Sequence, residues 1–225
     1  MAPPEDLSVS MLLALFSDVH NNVRDLDRTL NYLQQRGVDG YLQLGDLGTD
    51  PLRLLEGLPV RHIFGNWEVS GLPANPTGRS AEIAAWPARL TGPGWLAAHA
   101  SPILPDGCTT TLATRHFMTL RQVRWMQVFP SLLHDKGAIA AALAHLAAAG
   151  SLVAFHGHTH VQAVQQLGAD GRLRRLAMPA FSLPPETLTL VGIGSVGVPR
   201  DGLHPRCVLF DPNASAIELI TIPAR

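Results

Sequence analysis

The sequence is short of the features that would tie a chain to a disulfide scaffold, a nucleic acid or a membrane. It holds only two cysteines, Cys108 and Cys207, in 225 residues. They form no metal or redox spacing and are too few for a disulfide framework, so a reducing compartment is expected. Charge of neither sign prevails: 17 Lys+Arg stand against 18 Asp+Glu, which leaves no global field to hold a nucleic acid or an anionic membrane. Any charge chemistry must be local. Long hydrophobic runs are missing too. The stretch MAPPEDLSVSMLLALFSD starts acidic, and its apolar run of about six residues is too short for a signal h-region or a membrane span. A soluble cytoplasmic protein with no membrane partner is expected. Neither an internal repeat nor a low-complexity linker divides the chain, and 46% hydrophobic residues can fill a continuous core, so a single domain over 1–225 is expected.

What is present is a series of short apolar runs alternating with helical patterns. MLLALF (11–16) is apolar throughout, as a strand covered on both faces must be, and Val23, Leu26, Leu30 and Leu33 follow at helical spacing. Asn21 or Asn22 can cap that helix and Gly37 can end it. YLQL (41–44), VRHIF (60–64), WLAAH (95–99) and SLVAF (151–155) read as four more strands, with a short helix from Asp50-Pro51 through Leu55. GLPANPTGRS (71–80) reads as loop. Helices are expected over 113–128 and over the alanine-rich 136–149. Beyond 160 the texture turns to hairpins: AVQQLGADGRLRRL (163–176), a strand in TLTLVGIGSVG (187–197), and RCVLFDPNASAIELITI (206–222). A βαβ first half and a more antiparallel second half would form an α/β fold, two sheets packed face to face with helices outside.

Ligands of open α/β sheets bind beyond the carboxyl ends of the strands. Asp18 and His20 follow the first strand, Asp46 the second, Asn66 the third, His99 the fourth, and His158 and His160 the fifth. Taken singly, each has a bland reading: helix cap, turn residue, turn pair, packed core histidine. Taken together, every strand ends in a group able to bind a metal. Imidazoles with aspartate and an amide oxygen suit manganese, iron, zinc or nickel, whereas magnesium and calcium prefer oxygen alone. Seven such groups exceed the needs of one first-row ion and suit two, as in centres that displace a group at phosphorus.

The series DVH (18–20), GD (45–46), GNWE (65–68), His99 and GHTH (157–160) resembles the calcineurin-like metallophosphoesterases, in their short bacterial phosphodiesterase-type branch. GSVGVPRDG (194–202) resembles the glycine-serine loop of that branch. The resemblance covers residues 11 to about 211. It implies the metallo-dependent phosphatase fold, a four-layer α/β sandwich of two mixed β-sheets flanked by helices. It implies that Asp18, His20 and His160 hold one ion, Asn66, His99 and His158 the second, and that Asp46 bridges them. The cofactors would be two divalent transition-metal ions, manganese foremost, with iron, zinc or nickel as alternatives. It further implies that a metal-bridging hydroxide attacks phosphorus in line.

The departure falls at Trp67, where most of the family carries a histidine that protonates the leaving oxygen or holds the phosphate. An indole donates one N–H and does not titrate in this range. Some relatives in the branch lack the histidine and are regarded as phosphodiesterases. Glu68 loses its usual neighbour, which leaves it solvated or bound to another group. Replacement proton donors are His156, before GHTH, and His62, on the third strand, though strand histidines are commonly packed; a metal-bound water is the alternative. Arg200 suits a phosphate oxygen, or is a turn arginine paired with Asp201 or solvent. Segment 113–129, with Arg115, His116, Arg121, Arg124 and several aromatics, reads either as a small helical cap for a polyanionic substrate or as an amphipathic helix packed on the sheet or a second subunit. Trp67 could stack on a nucleobase.

The expected function is therefore a dimetal phosphodiesterase or nucleotide-directed hydrolase acting on a small phosphorylated or nucleotide-like substrate. The alternatives are a phosphomonoesterase or dinucleoside polyphosphate hydrolase on the same site, and a metal-binding scaffold that has lost its chemistry. No nucleic-acid partner is indicated, and a homo-oligomer is compatible with the sequence.

Overall fold

A computed structural model describes residues 11–224. Two six-stranded sheets, both mixed, pack face to face between helices. The first has the order β3-β2-β1-β11-β12-β9 and contains β1 (Leu13–Phe16), β2 (Gly40–Leu44), β3 (Val60–Ile63), β9 (Ala180–Ser182), β11 (Arg206–Asp211) and β12 (Ala216–Thr221). The second has the order β4-β5-β6-β10-β7-β8, from β4 (Arg89–Gly92), β5 (Trp95–Ala98), β6 (Val153–His156), β7 (Gln162–Leu167), β8 (Leu173–Leu176) and β10 (Leu188–Ile193).

Side-chain alternation explains the uninterrupted apolar run at β1. Leu13 and Leu15 face the second sheet and join Leu42, Ile63, Phe155 and Val191 in the central core. Ala14 and Phe16 face outward and pack under Leu26, Leu30 and Leu33 of α1 (Val23–Gln35). On the far side Ile139, Leu143 and Leu146 of α7 (Lys136–Ala148) cover Leu96, Ala154 and Leu190. Each fully buried leucine or phenylalanine contributes about 1.5–3 kcal/mol by leaving water.

The observed elements depart from the sequence expectation in four places. The final hairpin does not join the other late strands: β11 pairs antiparallel with β1, so the late residues contribute to both sheets. The 71–80 segment is loop only in its middle, since Gly71 ends α3 (Asn66–Gly71) and Arg79 begins α4 (Arg79–Ala84). The single helix expected at 113–128 is two, α5 (Thr111–Arg121) and α6 (Trp125–Val128), broken where Gln122 turns left-handed at φ 53°. The short strands β4 and β9 escaped notice because four and three residues carry too little periodicity. α2 (Leu52–Leu55) and α7 lie where expected. Among the described residues no helix is long and apolar enough to cross a membrane.

Candidate metal centre

The loops after β1, β2, β3, β5 and β6 converge at one end of the sandwich. Main-chain hydrogen bonds tie the first two together: Asp18 N–H donates to Gly45 O at 3.1 Å and His20 N–H to Asp46 O at 3.0 Å. A third strap comes from 195–197. Gly197 N–H and the Ser195 hydroxyl both donate to Asp18 O, at 3.0 and 2.7 Å. Asp18, His20, Asp46, His158 and His160 all have left-handed backbone, with φ between 50° and 62°. Such a conformation costs a non-glycine residue about 1–3 kcal/mol, and it persists only where the surroundings over-determine it. Gly65 and Gly157 are fixed by proximity. A Cβ on Gly65 would lie 2.6 Å from Asp46 N, and one on Gly157 2.6 Å from Asp18 Oδ2.

Two groups of donor atoms result. Asp18, His20 and His160 form one, and Asp18, Asp46 and His99 the other, with the ligand atoms of each group within 4.8 Å of one another. His160 Nε2 lies 3.2 Å from His20 Nε2 and 3.3 Å from Asp18 Oδ1. In the second group His99 Nε2 is 3.1 Å from Asn66 Oδ1 and 3.5 Å from Asp46 Oδ1. Asp46 faces both groups, because its Oδ2 is 3.7 Å from His20 Nε2. The His158 ring meets His99 edge to face, 5.1 Å between centroids, and its main-chain N–H donates to Asp18 Oδ2 at 3.0 Å. All seven residues named from the sequence thus lie in one cluster.

The donor chemistry fits divalent cations. Nδ1–H of His99 donates to Leu44 O at 2.7 Å, and Nδ1–H of His160 to Val198 O at 2.8 Å. Those carbonyls fix the tautomer that leaves each Nε2 lone pair directed into the cluster, the arrangement a metal-ligating imidazole adopts. Burial takes His20 down to about 4 and His158 down to about 3, against the pull of Asp18, so both rings are neutral near pH 7. Burial works to raise Asp18, but the hydrogen bond from His160 and the charges of His99 and His160 hold it below the usual carboxylate range. Asp46 is pushed up to about 7 by burial and by the charges of Glu68 and Asp18, against the pull of His99. Packed carboxylates of this kind are relieved by bound cations.

Glu68 is not solvated. It is buried and accepts four main-chain N–H groups: Asp46 and Gly65 on Oε2 at 2.8 Å each, Leu47 and Gly48 on Oε1 at 2.8 and 3.3 Å. It cross-links the two loops that carry Asp46 and Asn66. The N-cap to N3 spacing of Gly65 and Glu68 was the available signal for both this role and helix α3.

Trp67 donates its main-chain N–H to Asp46 Oδ1 at 2.8 Å, and its half-exposed indole lies 4.5 Å from the His20 ring, tilted by 45°. A second half-exposed indole, Trp125 at the start of α6, meets the His158 ring edge to face at 5.6 Å. Segment 113–129 therefore reaches the centre through Trp125 and Phe129, while Leu112, Phe117 and Met118 of α5 pack into the outer core. Arg115 is partly buried on α5. Arg200 is exposed, its main-chain N–H donates to His160 O at 2.9 Å, and its charge helps to lower His20 and His160. Asp201 does not serve Arg200: it accepts from Gln162 N–H at 3.0 Å and pairs with Arg206 at 3.4 Å. His156 is buried beside Gly157 O, and His62 stacks flat on Trp86 at 4.6 Å. Burial lowers both to about 4, so neither carries an imidazolium proton near pH 7.

A two-sheet sandwich with candidate divalent-cation ligands gathered at its strand ends is an arrangement suited to metal-dependent hydrolysis of phosphoric esters. The chain belongs to the calcineurin-like phosphoesterase superfamily, whose domain model matches residues 11–215. In structure it is similar to a metallophosphoesterase from Sphaerobacter thermophilus, at 19% identity and a TM-score of 0.66, over 96% of this chain and 89% of that one. It is also similar to a protein described as a novel archaeal phosphodiesterase, at 11% identity and a TM-score of 0.51, over 94% of this chain and 99% of that one. At these identities the likeness carries the fold. No curated protein matches the chain significantly.

Proposed function

We propose that the chain is a phosphodiesterase for nucleotide-like substrates, acting in the cytoplasm with two divalent transition-metal ions, manganese the first to test. Asp18, His20 and His160 would hold one ion, Asn66, His99 and His158 the other, with Asp46 between them. When bound, such a pair supplies a nucleophile from water at neutral pH and neutralises charge on the phosphoryl oxygens.

One observation carries the preference for diesters: the side chain beside His20 is an indole, 4.5 Å away, and not a titrating group. Departure of an alcohol from a monoester dianion runs through a loose transition state with heavy charge on the leaving oxygen. That route depends most on a proton donor, and His156 and His62, both neutral near pH 7, are poor ones. Diesters with good leaving groups suffer least. Trp67 and Trp125 offer flat faces on either side of the ligand cluster, which favours ring-bearing substrates. Arg200, whose charge reaches His20 and His160, is suited to orient a phosphate oxygen. Arg115 and the 113–129 segment would border the substrate as a small cap.

The test is hydrolysis by the manganese-loaded chain of bis(4-nitrophenyl) phosphate against 4-nitrophenyl phosphate. A higher kcat/KM for the diester is expected. Faster turnover of the monoester would move the assignment to a phosphatase, and no turnover of either at full metal occupancy would defeat it.

A further inference from the structure

Beside the ligand cluster lies a cavity of about 280 Å3. Its walls include Asn21 after β1, Thr49 after β2, Trp67, Glu68 and Leu72 from the α3 region, and Ile83 of α4. Trp67 belongs to both places. Trp67 lines the cavity and its indole lies 4.5 Å from the His20 ring, so the cavity adjoins the side of the cluster on which His20 stands.

The chemistry of the walls selects what can enter. Among the described residues that line it there is no lysine or arginine, and the one ionisable side chain is Glu68. That carboxylate spends its oxygens on four main-chain N–H groups, so it offers an incoming group negative potential without a free hydrogen-bonding role. Leu72 and Ile83 supply apolar surface, the indole supplies a flat face, and Asn21 and Thr49 supply neutral polar groups at the rim. The volume is near the low end for small-molecule pockets, about 300 Å3, and suits one ring system rather than an extended chain.

We propose that this cavity receives the leaving group of the phosphodiester, and that the leaving group is an uncharged, ring-bearing alcohol. The inference rests on the phosphodiesterase reading and narrows it. The bond from phosphorus to the alcohol oxygen breaks as the oxygen of water bonds to phosphorus; one water proton ends on the alcohol and the other is released to solvent. A leaving group that is itself a phosphate, as in cleavage of a polyphosphate chain, would place its charge against Glu68 with no cation to meet it. The substrate class is therefore a diester of an uncharged alcohol, not a phosphoanhydride.

The experiment compares methyl 4-nitrophenyl phosphate with methyl 3-carboxy-4-nitrophenyl phosphate, which differ by one carboxylate, carried on the leaving group. The metal-loaded wild type is expected to favour the uncharged ester by about tenfold in kcat/KM. Thr49→Arg sets a cation at the cavity rim and is expected to narrow that ratio at least about threefold. Gly71→Trp fills space at the cavity wall, where a Cβ on Gly71 meets nothing within 4 Å, and is expected to raise KM for the uncharged ester at least about threefold, since its 4-nitrophenol must enter the cavity to depart. Hydrolysis of the diesters with the ratio unmoved in Thr49→Arg and KM unmoved in Gly71→Trp overturns the cavity's role and leaves the phosphodiesterase reading standing. No turnover of any diester by the wild type overturns both.

Discussion

The Glu68 carboxylate accepts the main-chain N–H of Asp46 at 2.8 Å and so anchors the backbone of the residue that faces both groups of candidate ligand atoms. Its bonds to Gly65, Leu47 and Gly48 make it a cross-link between two loops and not a partner for a side chain at position 67. Glu68→Gln is accordingly expected to destabilise the metal-free chain by about 2–4 kcal/mol, since an amide offers one acceptor oxygen where four donors converge. Denaturant unfolding checks this. Trp67→Ala, measured alongside, should cost less than half as much.

Trp67→His restores a titrating group beside His20. The rate on an alkyl diester is expected to rise about 100-fold or more, the lower range for a positioned acid, because Glu68 is already committed to the backbone and cannot orient the new ring. The rate on bis(4-nitrophenyl) phosphate should change less than about threefold, as that leaving group departs without a proton. Equal gains on both substrates would show that position 67 acts on binding and not on the leaving oxygen.

Metal affinity should climb with pH. Asp46 titrates at about 7 in the metal-free chain, so below that pH an ion must displace its proton. Affinity is therefore lost as pH falls and gained as it rises through 7. The carboxyl alone accounts for about a fivefold gain from pH 6 to 7. His99 and His160 add to it in the same direction, since burial works to lower them but their carboxylate and carbonyl partners raise them above the ordinary histidine value. Calorimetric titration in buffers of different ionisation heat would read the protons released. A flat profile from pH 6 to 8 would contradict it.

Trp125 sits edge-on to His158 at the start of α6. Trp125→Ala is expected to raise KM for the 4-nitrophenyl ester of thymidine 5′-phosphate by about 5- to 100-fold, as loss of one stacking face. For methyl 4-nitrophenyl phosphate KM should stay within about twofold. A comparable loss on both substrates would assign Trp125 to holding His158 rather than substrate.

Legibility in the sequence followed periodicity and local chemistry. β1 was readable because Leu13, Ala14, Leu15 and Phe16 are all buried, two on each face. α1 was readable from its leucines and its cap, which is Asn22, accepting from Asp25 N–H at 3.1 Å. The cluster of Asp18, His20, Asp46, Asn66, His99, His158 and His160 was readable because each follows a strand, and the carboxyl ends of those strands from both sheets gather at one end of the sandwich. The seating of β11 against β1 was not, because no short-range pattern records which distant strand a strand will meet. Nor was the packing of Trp125 on His158, which depends on Gln122 breaking α5 from α6.

The placement of β11 also orders events in time. β1 pairs Leu13 with Gly40 on one side and with Phe210 on the other, and Asp18 takes its strap from Ser195 and Gly197. A ribosome that has released residues 11–160 has made every proposed ligand, yet it has made no socket for them. The first sheet closes only when 206–221 arrive, so folding is expected to be slow in the manner of chains dominated by distant contacts. The proposed ligands would then come together only after residue 221 has been made, so loading with ions would follow synthesis rather than accompany it.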